Sequence, residues 1–160
     1  MNKIKKILAC IDFSEYSLMT LEYALEIAQS RKIPVIVFNV INLRDLNGVE
    51  IFSKYFSGKI NVEDHVRELR KDRYGMMEKM IKEIFFDEKS LMKIKIDTGI
   101  PFECILKAIE TENIDLVVMA NKGRGNISSV LFGSTAEKVF RHSPVPVVNV
   151  RDREKFKSAN

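Results

Sequence analysis

The chain has no tryptophan and only two cysteines, two histidines and four prolines in 160 residues, and the scarcity of cysteine and histidine excludes whole classes of site. Cys10 and Cys104 sit singly inside apolar segments. They read as small core residues in a reducing compartment, which excludes a disulfide framework or a thiolate metal site. His65 and His142 have no ligand-spaced neighbours, so a zinc-type centre is excluded and no metal-ligating residues are expected from the protein. The charge is not strongly of one sign: +4, with basic residues spread along the chain and no arginine-rich arm. That argues against a nucleic-acid partner. No run approaches the roughly 18 apolar residues that a membrane span needs, so no membrane partner is expected. The start, Met-Asn-Lys-Ile-Lys-Lys, superficially resembles the basic end of a signal peptide. The apolar run behind it, Ile7 to Ile11, stops at Asp12 without a small-residue cleavage site, and a cytoplasmic location is expected.

What remains is the composition of an ordinary globular domain, 46% hydrophobic and 30% charged. A chain of this size buries about two-thirds of its unfolded surface. Ile7 to Ile11 suits a strand covered on both faces. Asp12-Phe-Ser14 ends it, and Ser14 is placed to cap a helix in which Leu18, Leu21, Leu25 and Ala28 recur, closed by Arg31 and Lys32. Pro34 opens a second strand, Val35 to Ile41. From 42 to 60 the periodicity is lost, Gly48 and Gly58 punctuate it, and Ile51, Phe52, Tyr55 and Phe56 cluster. This predicts a long loop with at most a helical turn, serving as a cover over a site or as part of an interface.

A long helix from near Asn61 carries Val66, Leu69, Met76, Met80, Ile81 and Ile84 on one face. Its methionines (Met76, Met77 and Met80) are core filler. Leu91 to Ile96 alternates with lysine, the pattern of a half-exposed strand at a sheet edge. Gly99-Ile-Pro101 turns into a third helix with Phe102, Ile105, Leu106 and Ile109 inward. Leu116 to Met119 is a fourth strand, Gly133 to Arg141 a fourth helix stopped by His142-Ser-Pro144, and Val145 to Val150 a last strand. Without repeats or linkers the chain predicts one domain, 1–151, and a polar tail, 152–160.

Strands alternating with helices imply an α/β domain: a parallel sheet in a three-layer sandwich with right-handed crossovers. In such sheets ligands bind at the carboxyl ends of the strands, where the strand order reverses. If the first and fourth strands flank the reversal, Asp12-Phe-Ser14 meets the loop Ala120-Asn-Lys-Gly-Arg-Gly-Asn126. That loop is rich in small and basic residues, passes an apolar turn, Ile127 to Phe132, and re-enters a helix at Gly133-Ser134-Thr135. Unpaired N–H groups at a helix start, with about half a positive charge from the dipole, suit an anion such as phosphate.

These residues carry a resemblance. From Lys6-Ile-Leu-Ala-Cys-Ile-Asp12 through Phe38-Asn-Val-Ile41 and Gly99-Ile-Pro101 to Val147-Val-Asn-Val150, the chain resembles the universal stress protein family, specifically its ATP-binding branch. The family's nucleotide pattern is Gly, two residues, Gly, nine residues, Gly, then Ser or Thr. Here Ala120 stands at the first glycine, while Gly123, Gly133 and Ser134 match in register. The resemblance implies a Rossmann-like, adenine-nucleotide-binding fold with a five-stranded parallel sheet of order 3-2-1-4-5. It implies that Asp12, with Phe13 and Ser14 beside it, holds the ribose or adenine region and that Val40 meets adenine through its backbone. Met119 and Ala120 would line the pocket, and Lys122, Gly123, Arg124, Gly133, Ser134 and Thr135 would surround the phosphates. The implied ligand is ATP with Mg²⁺, and the implied assembly a homodimer through the last strand, Val145 to Val150, with a protein partner of unknown identity.

Local readings stand beside these. Ser134 with Glu137 matches a capping box and needs no ligand. Asp12 also has a local reading as a turn residue or a cap, Lys122 and Arg124 as solvated loop charges, and Gly123 and Gly125 as tight-turn residues. An alanine at 120 matters if that backbone has positive φ. The P-loop signature is absent, no base–nucleophile pair stands near the loop, and Lys122 occupies a position where the family often has histidine. Three functions follow: an ATP-binding stress-response or signalling switch with at most slow hydrolysis, an ATPase or nucleotidyl-transfer enzyme of the same fold, or a nucleotide-independent structural dimer.

Overall fold

The computed structural model describes residues 3–46, 48, 61–123 and 133–152. In chain order these form β1 (Ile7–Cys10), α1 (Ser17–Gln29), β2 (Val35–Asn42), α2 (Val62–Ile84), β3 (Met92–Gly99), α3 (Pro101–Thr111), β4 (Leu116–Ala120), α4 (Ser134–His142) and β5 (Val147–Val150). Most of the expected loop at 42–60 lies outside the described residues, as do Arg124, Gly125, the apolar turn Ile127 to Phe132 and the tail from 153. Within the loop region, 43–46 form the helical turn and Leu46 is buried.

The five strands pair in parallel in the order β3-β2-β1-β4-β5. β1 is central: Cys10 is in register with Phe38 of β2 on one side and Met119 of β4 on the other. The chain therefore winds outward twice from β1, and the direction reverses between β1 and β4.

Alternate residues of each apolar run serve opposite faces, because successive side chains in a strand point to opposite sides. Ile7, Ala9, Val35, Val37 and Val118 join Leu21 and Leu25 of α1 and Met77 and Ile81 of α2 in one core. Leu8, Ile36, Phe38, Val117 and Met119 join Ile105 and Ile109 of α3 and Val139 of α4 in the other. A sheet covered on both faces explains why its inner strands read as continuous apolar runs. β3 alternates with lysine because it is an edge strand, as expected, although it continues through Asp97 and Thr98 to Gly99.

Several local expectations are corrected. α1 starts at Ser17, three residues after Ser14; its N-cap position is Tyr16 and no side chain caps it. It ends at Gln29, so Arg31 and Lys32 lie beyond it, with Lys32 at φ 52° in the reversing turn. Leu18 is 37% exposed, whereas Thr20 and Ala24 are buried. In α2, Met77 points inward instead of Met76, and Met76 and Ile84 are each 54% exposed. Asn61 does cap α2, its side chain accepting from Glu63 N at 2.9 Å. β5 is shorter than expected, with Val145 before it packed against the second core.

The amino ends of the strands are closed by polar ties. Asp115 Oδ2 accepts from Lys5 N and Lys6 N at 2.8 and 3.1 Å. Lys6 Nζ donates to Glu112 O at 2.7 Å, and Lys95 Nζ donates to Glu112 Oε1 at 2.6 Å. The hydrogen bond from Lys95 holds the Glu112 carboxyl below the usual carboxylate range, against the opposing effect of burial. At the carboxyl ends of β1 and β4 the chain is built differently.

Candidate functional site

Past Cys10 the β1 chain makes one more ladder bond, Ile11 N to Phe38 O at 2.9 Å, and turns away at Asp12. The turn is held by Asp12 itself, whose Oδ1 accepts from Ser14 N at 3.0 Å and from Ser17 Oγ at 3.4 Å. A carboxylate that bonds the backbone two residues on is an Asx turn. Between them Phe13 adopts φ 61°, an uncommon conformation for a residue with a Cβ, and its ring packs against the first core. Phe13 thus contributes backbone geometry to the turn. Ser14 O accepts from Ser17 N at 3.0 Å, and Ser14 Oγ accepts from Tyr16 N at 3.4 Å.

The other Asp12 oxygen faces β4's exit. A Cβ added at Gly123 would lie 2.5 Å from Asp12 Oδ2, a separation that real Cβ atoms do not show. Any side chain at 123 therefore obliges the Asp12 carboxylate to move. The two stretches singled out in the sequence, 111 residues apart, are in contact across the reversal point.

β4 ends at Ala120, paired with Val150. Ala120 is not among the residues with positive φ, so alanine fits this backbone without strain. Asn121 is 4% exposed; its N–H donates to Val150 O at 3.1 Å and its carbonyl accepts from Gly133 N at 2.7 Å. That last bond brings Gly133 against the β4 exit, 10 residues after Gly123 in sequence. A Cβ at Gly133 would meet Asn121 O at 3.4 Å, Lys122 Cα at 3.7 Å and Gly123 N at 3.8 Å, ordinary van der Waals contacts, so space does not demand glycine there.

Gly133 is also the N-cap of α4, with Ser134 the first helical residue. This corrects the capping-box reading, in which Ser134 is the cap. The first backbone bond of this turn is Glu137 N to Gly133 O at 2.9 Å. The N–H groups of Ser134, Thr135 and Ala136 have no acceptor within the helix. Ser134 is exposed and Thr135 half-buried; Lys122, also half-buried, is engaged in an interaction of its own. Met119 is 5% exposed in the second core, a wall beneath the site.

The third side is the end of β2. Even-numbered residues of β2 direct their backbone groups toward β1, as the bonds Ile7 N to Pro34 O and Ile11 N to Phe38 O establish. Val40 is the next of these, and β1 has turned away before reaching it, so its backbone groups face the gap. Ile11 O accepts instead from Asn39 Nδ2 at 2.8 Å. Arg73 of α2 donates from Nη1 to Asn39 Oδ1 at 2.8 Å and to Val40 O at 3.0 Å.

Ser17, Asn39, Arg73 and Asn121 escaped the sequence reading. Asn39 carries a signal, a polar residue within the apolar run of β2, and it is 2% exposed. Arg73 carries none, because its partners lie more than 30 residues away.

The site thus brings together a carboxylate held in a turn, helix-start N–H donors, a half-buried lysine, and a stretch of β2 that β1 has left but that stays paired with β3. The thiols take no part: burial pushes both the Cys10 and Cys104 thiols up, with Asp97 and Glu103 adding to the effect at Cys104. Among the described residues no group of three His, Cys, Asp or Glu side chains is placed to hold a metal ion, and no helix is long and apolar enough to cross a membrane.

Comparison with known proteins gives one consistent result. The model of the universal stress protein family matches residues 3–151. Universal stress protein MJ0577 of Methanocaldococcus jannaschii is 30% identical over 157 residues, covering 92% of this chain and 94% of its own. The solved structure of MJ0577 superposes with a TM-score of 0.78, covering 94% and 97% of the two chains. A universal stress protein of Archaeoglobus fulgidus, solved in complex with dAMP, is similar at a TM-score of 0.58 and 17% identity, covering 94% of this chain and all of its own. A universal stress protein solved in complex with cAMP is similar at 0.59 and 19%, covering 94% and 98%.

Proposed function

The chain belongs to the universal stress protein family, and from that premise we propose that the cleft between β1 and β4 binds an adenine nucleotide, ATP with Mg²⁺, as a switch in stress response or signalling. The observation that carries this reading is the close approach of Gly123 to Asp12 Oδ2, which brings the exits of β1 and β4 together at the reversal point. A carboxylate repels phosphate and accepts bonds from ribose hydroxyls, so Asp12 fits the sugar end. Gly123, the N–H groups at Ser134 and Thr135, and Lys122 fit the phosphate end, where backbone donors and a cation balance negative charge. Arg124 belongs with them by sequence position. Val40 offers its backbone N–H to the base, its carbonyl being bonded to Arg73. The dAMP and cAMP complexes of proteins with this fold support the class of ligand. Mg²⁺ at such a site is held chiefly by phosphate oxygens and water, consistent with the lack of a clustered carboxylate set among the described residues.

Calorimetry with ATP and Mg²⁺ tests this directly. Binding is expected in the micromolar range and is expected to be lost, by about 30-fold or more, in Asp12→Ala. No heat and no thermal shift at millimolar ATP would sink the reading.

We also propose that the protein is a two-fold homodimer through β5. This strand is a sheet edge, and an edge with bare backbone groups invites pairing with another chain. Val117 N bonds Pro146 O and Asn121 N bonds Val150 O, so the backbone groups of Val147 and Asn149 point outward. Asn149 Oδ1 is buried within the chain and has no hydrogen-bond partner among the described residues, so the outward backbone groups alone carry this surface. Val147→Pro removes an outward donor and leaves the β4 ladder intact. Sedimentation at tens of micromolar should give a dimer for the wild type and a monomer for this variant; a monomeric wild type would refute the assembly.

A further inference from the structure

We propose that Arg73 is a positioning residue for the base, an inference that rests on the nucleotide reading above. The ladder between β1 and β2 ends at Ile11 N–Phe38 O, so the edge of Val40 that faces β1 has no strand partner, while β2 stays paired with β3 through Val40 and Asp97. Its place is taken by side chains. Asn39 Nδ2 binds Ile11 O at 2.8 Å from a position that is 2% exposed, and Arg73 Nη1 uses its two hydrogens on Asn39 Oδ1 and Val40 O. Ile11, Asn39, Arg73 and Val40 form one hydrogen-bonded chain from the end of β1 to the end of β2.

A guanidinium bonds carbonyls strongly because it is charged, and a half-buried one is only weakly screened. With its carbonyl fastened to α2, Val40 keeps its N–H directed into the gap beyond β1. A purine presents ring nitrogens that accept hydrogen bonds at its edge, and a fixed strand-end N–H is a donor suited to one. Arg73 does not touch the ligand in this arrangement; it fixes the tilt of the one β2 edge that β3 does not hold, removing freedom that this edge would otherwise lose on binding. The effect is therefore on the base and indifferent to phosphate number. Arg73 also belongs to α2, so the long helix is bonded to the strand end that would receive the base.

The test is calorimetric titration of adenosine, AMP and ATP into the wild type, R73M and R73K, below the unfolding temperature of each. R73M is expected to weaken all three ligands by the same factor, about tenfold. R73K keeps a cationic donor for the two carbonyl oxygens and is expected to stay within about threefold of wild type. If R73M does not fold, R73Q carries the same expectation. An R73M protein that is less heat-stable but binds all three ligands like wild type overturns the proposal and leaves Arg73 structural. A loss that grows from adenosine to ATP overturns it in favour of direct phosphate contact. A wild type that binds none of the three overturns the nucleotide reading itself and this inference with it, an outcome visible before any variant is measured.

Discussion

Gly123→Ala is expected to weaken ATP binding by about 30-fold, roughly 2 kcal/mol. It is also expected to lower stability by about 1–2 kcal/mol. The reason is steric and local: the new Cβ would stand 2.5 Å from Asp12 Oδ2, so the carboxylate must move. Asp12 is not free to do so cheaply, since its Oδ1 holds Ser14 N at 3.0 Å and Ser17 Oγ at 3.4 Å. Swinging away breaks the turn that keeps Phe13 at φ 61°, and the sugar-binding acceptor is displaced together with the phosphate-side glycine. A double-mutant cycle isolates the contact. In an Asp12→Ala background the clash partner is gone, and the stability cost of Gly123→Ala should fall to a few tenths of a kcal/mol. Equal costs in the two backgrounds, measured by urea denaturation, would contradict the close approach of β1 and β4 exits.

Phe38→Ala is expected to cost about 3–5 kcal/mol, the range for emptying a buried aromatic site. Phe38 is 1% exposed, lies in the strand beside central β1, and packs in the second core with Leu8, Ile105 and Val139. For a domain of this length the melting temperature should fall by roughly 6–20 °C. The urea midpoint should fall with an unchanged slope, since the folded shape is retained. Phe86→Ala is the control. That ring is 61% exposed with Lys89 Nζ 3.8 Å from its centroid, and its loss should cost no more than about 1 kcal/mol. Similar costs for the two phenylalanines would contradict the placement of the core.

The fold was legible because its evidence is repetitive. Four apolar runs and one alternating segment, separated by helical patterns, leave few architectures, and the lysine alternation of 92–96 marks an edge strand without reference to anything distant. The candidate site was legible in outline, because the family pattern and Asp12 fall at strand ends, which is where such sheets bind ligands. What sequence could not supply were helix registers and long-range polar partners. Ser134 and Glu137 have capping-box spacing, yet the bond from Gly133 N to Asn121 O fixes the chain one residue earlier and makes Gly133 the cap. Met76 and Met77 are adjacent and chemically alike, so periodicity alone cannot choose between them; packing buries Met77 and exposes Met76. Asn39 and Arg73 are 34 residues apart, and only the docking of α2 on the sheet makes them partners. Ala120, which departs from the family's glycine, proved compatible with its site because it is the last residue of a strand.

The most direct test of the central claim is residue-resolved: backbone amide chemical shifts of the isotope-labelled protein during titration with ATP and Mg²⁺. Saturable shifts are predicted at the amides of Phe13, Ser14, Val40, Gly123, Ser134 and Thr135, with the amino-end residues Lys6, Glu112 and Asp115 unmoved. Saturable binding that leaves the first group unmoved and shifts amides elsewhere, or no shifts at millimolar ATP, would contradict a nucleotide site between β1 and β4.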